Sequence, residues 1–255
     1  MKFHVGGNSI PRIFNGVINL KHRTTNPRVQ YNDPSILFNS MKDKVALVNE
    51  GTYGLGLKCA RELLQCGVKG LMISGADEKQ GRFVINELCR EHGKEKLAFI
   101  RMDSSKDVIV KHVYSETIKY FRGLDIVFNY LHHMKHTSWE EQVEHNVMGL
   151  IRITKCGLQQ MNLNKCGGVI INAIVTKEND EQCPLYLGIK HFVITFSKAL
   201  SAVSYDDTSV KIMTVCFDEE EVCDESNHES TQSQGHNINS IVNKGKNGSI
   251  WCCSV

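Results

Sequence analysis

The chain has 255 residues, 41% of them hydrophobic and 23% charged. That length suits one α/β domain with an extension, and that composition excludes a chain disordered throughout. Thirty basic and 28 acidic residues leave a net charge of +2, without the basic excess of a nucleic-acid binder, and no apolar run reaches the ~18 residues that span a bilayer.

Residues 1–40 carry Lys2, Arg12, Lys21, Arg23 and Arg28 and no acid before Asp33. Gly6, Gly7, Pro11, Pro27 and Pro34 interrupt any long helix. The segment reads as a poorly ordered N-terminal extension of a cytoplasmic protein; an acid-poor basic start also matches a mitochondrial presequence. The ten cysteines include no CxxC pair. Cys59, Cys66, Cys156 and Cys216 lie in apolar periodic segments, where a thiol behaves as a small hydrophobe. A reducing compartment, no disulfide framework and no metal site are expected.

From Met41 the texture changes, and one domain over 41–255 is expected. A strand is predicted over 45–48, closed by Gly51. A helix follows over 54–65, with Leu55, Ala60, Leu63 and Leu64 at helical spacing. Next come a strand over 70–73, a helix over 77–92, a strand over 97–100 and a helix over 108–121. A strand over 124–128 precedes a long helix over 139–161. The last elements are a strand over 169–172, a helix over 185–203, and strands over 210–216 and 249–252. Apolar runs alternating with helices predict a single doubly wound α/β domain, a Rossmann-type parallel sheet covered on both faces. Ligands of such sheets bind beyond the carboxyl ends of the strands. The chemistry should therefore follow residues 49, 74, 103, 129, 173 and 216.

The first strand runs into Asn49-Glu50-Gly51-Thr52-Tyr53-Gly54-Leu55-Gly56. Gly54 and Gly56 open the first helix, where missing side chains let the backbone approach a pyrophosphate and the helix N-terminus favours its charge. Further on stand Leu124-Asp125-Ile126-Val127-Phe128-Asn129, Gly167-Gly168-Val169-Ile170-Ile171-Asn172, Tyr186-Leu187-Gly188-Ile189-Lys190 and Asn247-Gly248-Ser249-Ile250-Trp251. On these stretches, taken in order, the chain from about Met41 resembles a short-chain dehydrogenase/reductase. It is most similar to the branch of insect alcohol dehydrogenases and 15-hydroxyprostaglandin dehydrogenase.

The resemblance implies that Gly51, Gly54, Leu55 and Gly56 cradle a dinucleotide, that Asp103 contacts its adenine, and that Asn129 and Lys190 complete the cofactor site. Tyr186 would be the acid/base and Lys190 its partner. Residues four apart share a helix face, and an ammonium beside a phenol makes it usable near neutral pH. Asn146 would support a proton-relay water. No arginine follows Ser74-Gly75 to favour a 2′-phosphate, and Asp77 lies two residues on. NAD is therefore expected, with NADP left open.

Several departures point to impaired catalysis. Glu50 stands where the family has glycine; a carboxylate ~6 Å from a phosphate charge at an effective dielectric of ~20 is repelled by roughly 3 kcal/mol. The family's substrate-orienting serine falls on Ala173 or Ile174, and no serine lies between Lys165 and Tyr186. Thr176 is the nearby hydroxyl. Phe217-Asp218 replaces a Pro-Gly turn, and the following stretch to Asn239 is polar and short for a substrate lid. His132, His133 and His136 read as solvated loop histidines, and Cys252 as a strand residue rather than a prenylation site. The helices over 139–161 and 185–203 have apolar residues on more than one face, and in the family they pair across a homodimer.

Two readings of function stand. One is an NAD-dependent dehydrogenase/reductase of a small-molecule secondary alcohol or carbonyl, with impaired catalysis. The other is an inactive relative that serves as a binding or dimerising module.

Overall fold

The computed structural model describes residues 41–131, 137–163, 167–176, 184–218 and 238–254. The expected extension over 1–40, the histidines at 132, 133 and 136, and the stretch 219–237 lie outside them.

Seven parallel strands form one sheet in the order β3-β2-β1-β4-β5-β6-β7. They are β1 Val45–Asn49, β2 Gly70–Gly75, β3 Leu97–Arg101, β4 Ile126–Leu131, β5 Gly168–Thr176, β6 Val210–Asp218 and β7 Ile250–Ser254. The helices are α1 Gly54–Gln65, α2 Glu78–His92, α3 Asp107–Phe121, α4 Trp139–Val143, α5 Leu150–Leu163, α6 Pro184–Thr208 and α7 Ile238–Lys244. Strand order reverses between β1 and β4. The crevice that such a reversal opens lies at their carboxyl ends.

Side chains alternate along each strand, so the sheet carries two cores. On one face Ala46, Val48, Ile171, Ala173 and Val215 meet Leu63 of α1, Leu88 of α2 and Ile241 of α7. On the other, Leu47, Val127, Ile170, Ile174 and Cys216 meet Val113 of α3, Ile153 of α5 and Val193 of α6. The seven described cysteines are free thiols, and Cys252 lies within β7.

The structure departs from the expected elements in several places. The predicted helix over 139–161 is broken by a π-helical segment, Glu144–Gly149. There the chain passes so near the loop after β3 that a Cβ on Gly149 would lie 2.7 Å from Ser104 Oγ. Strand β5 runs on to Thr176, because Ile174, Val175 and Thr176 are β-branched. Strand β6 runs on to Asp218, where no proline ends it. Helix α7 sits in a region that reads as polar, yet Ile238, Ile241 and Val242 bury one short stripe.

Candidate active site

The turn after β1 opens the site. Glu50 takes a left-handed backbone with φ 57°, and Gly54 does so with φ 53°. The left-handed region suits glycine and strains a glutamate. A Cβ on Gly56 would lie 2.1 Å from the Glu50 carbonyl, so α1 needs glycine there to fold back onto the turn. A Cβ on Gly54 would meet nothing within 4 Å. Gly51 is locked into the sheet, its N–H donating to the Ser74 carbonyl at 3.0 Å. Leu55 is buried in the core under the turn. Tyr53 stands at the N-cap of α1 and its side chain does not cap the first turn, whose N–H groups carry the positive end of the helix dipole.

The carboxyl ends of the strands carry a buried polar rung. Asn49, Asn129 and Asn172 are register partners on β1, β4 and β5, with Ser74 beside Asn49 on β2. Ser74 Oγ donates to Asn49 Oδ1 at 2.7 Å, Asn49 Nδ2 to Asn129 Oδ1 at 2.7 Å, and Asn129 Nδ2 to Asn172 Oδ1 at 2.8 Å. Asn172 Nδ2 then donates to Ser197 Oγ of α6 at 2.8 Å. Every member is buried. Asn129 thus commits its side chain to the sheet. Sequence reasoning missed the chain. Its signal is present, since three apolar runs each end in asparagine.

The next rung on the same face is apolar: Leu131, Ile174, Cys216 and Cys252 are successive register partners. Tyr186 and Lys190 of α6 lie over it, both buried. The Tyr186 hydroxyl donates to the Leu131 carbonyl at 3.3 Å. Lys190 Nζ lies 4.5 Å from the centre of the Tyr186 ring. Burial pushes the Cys216 thiol up to about 12, the thiols of Cys252 and Cys253 add to the rise, and Lys190 opposes it. The structure also separates the two candidate serine positions. Ile174 shares the face of Tyr186, whereas Ala173 joins the opposite core. Thr176 Oγ1 donates to the Phe217 carbonyl at 3.1 Å.

A cavity of about 170 Å³ lies where strand order reverses. Asn49, Glu50 and Tyr53 line it from β1 and its turn, Tyr130 and Leu131 from β4, and His145 and Asn146 from the π-helical segment. Asn146 therefore shares a cavity with Leu131, the residue that Tyr186 holds. Asp103 stands just outside. Burial draws its carboxyl upward, but hydrogen bonds from Ser105, at 2.6 Å from the hydroxyl, and the charges of His145 and Lys106 outweigh it and hold it below the usual range. Asp77 caps α2, accepting from Lys79 N at 2.8 Å. No lysine or arginine is among the described residues around the cavity.

These residues fit a dinucleotide in part. The uncapped α1 terminus and the open space at Gly54 match a pyrophosphate. Burial alone pushes the Glu50 carboxyl up to about 7, and when ionised it opposes an anion. The cavity is smaller than the ~300–1,000 Å³ of typical ligand pockets.

Among the described residues, no helix is long and apolar enough to cross a membrane, and no three potential metal ligands cluster.

The profile of the short chain dehydrogenase family matches residues 44–219. A curated relative, 15-hydroxyprostaglandin dehydrogenase [NAD(+)] of Homo sapiens, is 26% identical over 180 residues, covering 68% of this chain and 66% of that enzyme. The L-fucose dehydrogenase of Bos taurus is 26% identical over 167 residues, covering 62% of this chain and 59% of that enzyme. The chain thus spans less than two thirds of the length of these relatives. Among solved structures, an actinorhodin polyketide ketoreductase variant with NADPH aligns with a TM-score of 0.60 at 25% identity, covering 70% of this chain and 71% of that one. A short chain dehydrogenase from Mycobacterium smegmatis aligns with a TM-score of 0.65 at 18% identity, over 83% and 92% of the two chains, and shares the fold.

Proposed function

The chain belongs to the short-chain dehydrogenase family, and from that premise we propose that it binds NAD and interconverts a small secondary alcohol and its carbonyl, with turnover held low by its own site. The observation that carries this reading is the gathering of Tyr186, Lys190 and Asn146 around the end of β4. The nicotinamide supplies the hydride acceptor when bound. In the reducing direction the Tyr186 phenol turns from the Leu131 carbonyl and gives its proton to the substrate oxygen as hydride arrives there. In the oxidising direction the phenol has first shed that proton to solvent, and the phenolate takes the substrate's hydroxyl proton, with Lys190 beside the ring favouring the phenolate. Gly54, Gly56 and the first turn of α1 seat the pyrophosphate. NAD is preferred because, among the described residues, no lysine or arginine lines the cavity to meet a 2′-phosphate, and the human relative named for NAD(+) supports that choice.

Low turnover follows from the apolar rung. With Ile174 facing Tyr186, one oriented hydrogen bond to the developing oxyanion is missing, a loss of ~2.7–4 kcal/mol or ~10²–10³ in rate. Calorimetric titration with NAD and NADH, followed by turnover on a panel of secondary alcohols, tests the reading. Binding with slow turnover is expected, and no binding at about millimolar cofactor overturns it. The small cavity favours a second reading, an inactive relative that binds or dimerises; binding without any turnover distinguishes it. In either case a homodimer through α4–α6 is proposed, with the exposed Trp139 and Met148 on the pairing side.

A further inference from the structure

Glu50 occupies the left-handed corner of the turn at φ 57° and lines the cavity at the end of β1. The residue is half-buried, partial burial is what raises its carboxyl, and among the described residues no cation or hydrogen-bond donor offsets the charge. The other titratable side chains around the cavity are Tyr53 on the same turn, Tyr130 at the end of β4 and His145 on the π-helical segment. Burial and the Glu50 carboxylate both push the Tyr53 phenol upward, which keeps it neutral. His145 Nδ1 lies 3.2 Å from Ser104 Oγ. Asp103, outside the cavity, accepts from Ser105 N at 2.9 Å.

A carboxyl so placed loses its desolvation penalty by taking a proton or by meeting a donor. A pyrophosphate on the α1 terminus brings only acceptors and more negative charge. It therefore competes with the ionised form of Glu50 and tolerates the neutral form.

We propose that Glu50 is a proton gate on the cofactor cradle: the dinucleotide enters with Glu50 protonated, so binding takes up one proton and weakens in alkaline medium. The gate rests on the cofactor reading above and adds its regulation. By linkage the two ligands help each other equally: protons tighten cofactor binding, and cofactor holds the proton on Glu50.

The test is calorimetric titration of the full chain with NADH from about pH 5.5 to about pH 8.5, in two buffers of different ionisation enthalpy. For the wild type, the Kd should rise about tenfold per pH unit above about pH 7, with one proton taken up per NADH bound. Glu50→Gln and Glu50→Gly should give a flat profile and bind about thirtyfold tighter than wild type near pH 8.5. Two variants guard against one that fails to fold. A wild-type Kd that is level across the range, with no proton uptake, overturns the gate and leaves the cofactor reading intact. A slope that persists in both variants places the titration on His145 or elsewhere and also overturns it. If none of the three proteins binds NADH at any pH, the cofactor reading fails and the gate with it.

Discussion

The Tyr186 hydroxyl donates to the main-chain carbonyl of Leu131 at 3.3 Å. The phenol proposed to act on a substrate hydroxyl is thus engaged with the backbone at the crevice floor. It can exchange that acceptor for a substrate oxygen, because a lone neutral hydrogen bond contributes only about 0.5–1.5 kcal/mol net. Tyr186→Phe should therefore cost about that much stability and leave NADH affinity unchanged. Turnover should fall ~10²–10⁴-fold, the usual contribution of a positioned acid/base. Steady-state rates on any alcohol the wild type oxidises, set beside urea unfolding, check both halves. Undiminished turnover in the phenylalanine variant removes Tyr186 from the mechanism.

A serine restored at Ile174 should raise kcat, whereas one at Ala173 should not. Ile174 lies on the face of Tyr186, and Ala173 lies on the face packed by α1 and α7. If a missing oxyanion donor limits the rate, Ile174→Ser regains up to ~10²–10³. It also removes a buried branched side chain, at about 2–5 kcal/mol, so the comparison belongs at low temperature. Equal rates in wild type and both serine variants would mean that turnover is limited by something other than this rung.

The parallel sheet and its covering helices were legible in the sequence because buried parallel strands read as apolar runs. Val45–Val48 and Val169–Ile171 are such runs. Boundaries were less legible where no glycine or proline stops a strand, as at Thr176 and Asp218. The π-helical turn around Asn146 depends on packing against the loop after β3, which no local periodicity encodes. Tyr186, Lys190 and the glycine turn could be read from spacing. That the Tyr186 phenol rests on a backbone carbonyl could not, since the acceptor is an atom every residue carries. Whether Ala173 or Ile174 faces the tyrosine was undecidable until strand register fixed the parity.

Removing Asn129 should destabilise the protein more than its single side chain implies. Its amide accepts from Asn49 and donates to Asn172 in the buried rung. Asn129→Ala takes the acceptor from Asn49 Nδ2 and leaves Asn172 Oδ1 only the longer bond from Thr154 Oγ1 at 3.4 Å, a cost of about 1–3 kcal/mol for the orphaned donor. Ser204→Ala, which removes a hydroxyl bonded to its own helix at Leu200, should cost less than about 1 kcal/mol. Urea unfolding of the two variants compares them. Equal midpoints would show that the rung relaxes or that water fills the gap.

Glu50 should also make stability depend on pH, with a definite sign. Its carboxyl ionises at the ordinary value of 4.5 when unfolded and at about 7 in the fold. Between those values the folded chain holds more protons than the unfolded one, so unfolding free energy falls as pH rises. The destabilisation is absent below pH 4.5 and complete above about pH 7. It amounts at most to about 3 kcal/mol, less where solvent reaches the carboxyl. Glu50→Gln should abolish this dependence, so its advantage over wild type should grow from pH 4.5 to about pH 7 and then level off. Glu50→Gly should add a pH-independent gain, because glycine relieves ~1–2 kcal/mol of left-handed strain while losing up to ~1 kcal/mol through its freer unfolded chain. Unfolding curves of the three proteins across this range separate the two effects, since charge burial varies with pH and backbone strain does not. A wild-type minus glutamine difference that stays constant across the range would mean that the carboxylate reaches water and that Glu50 imposes no charge penalty on the fold.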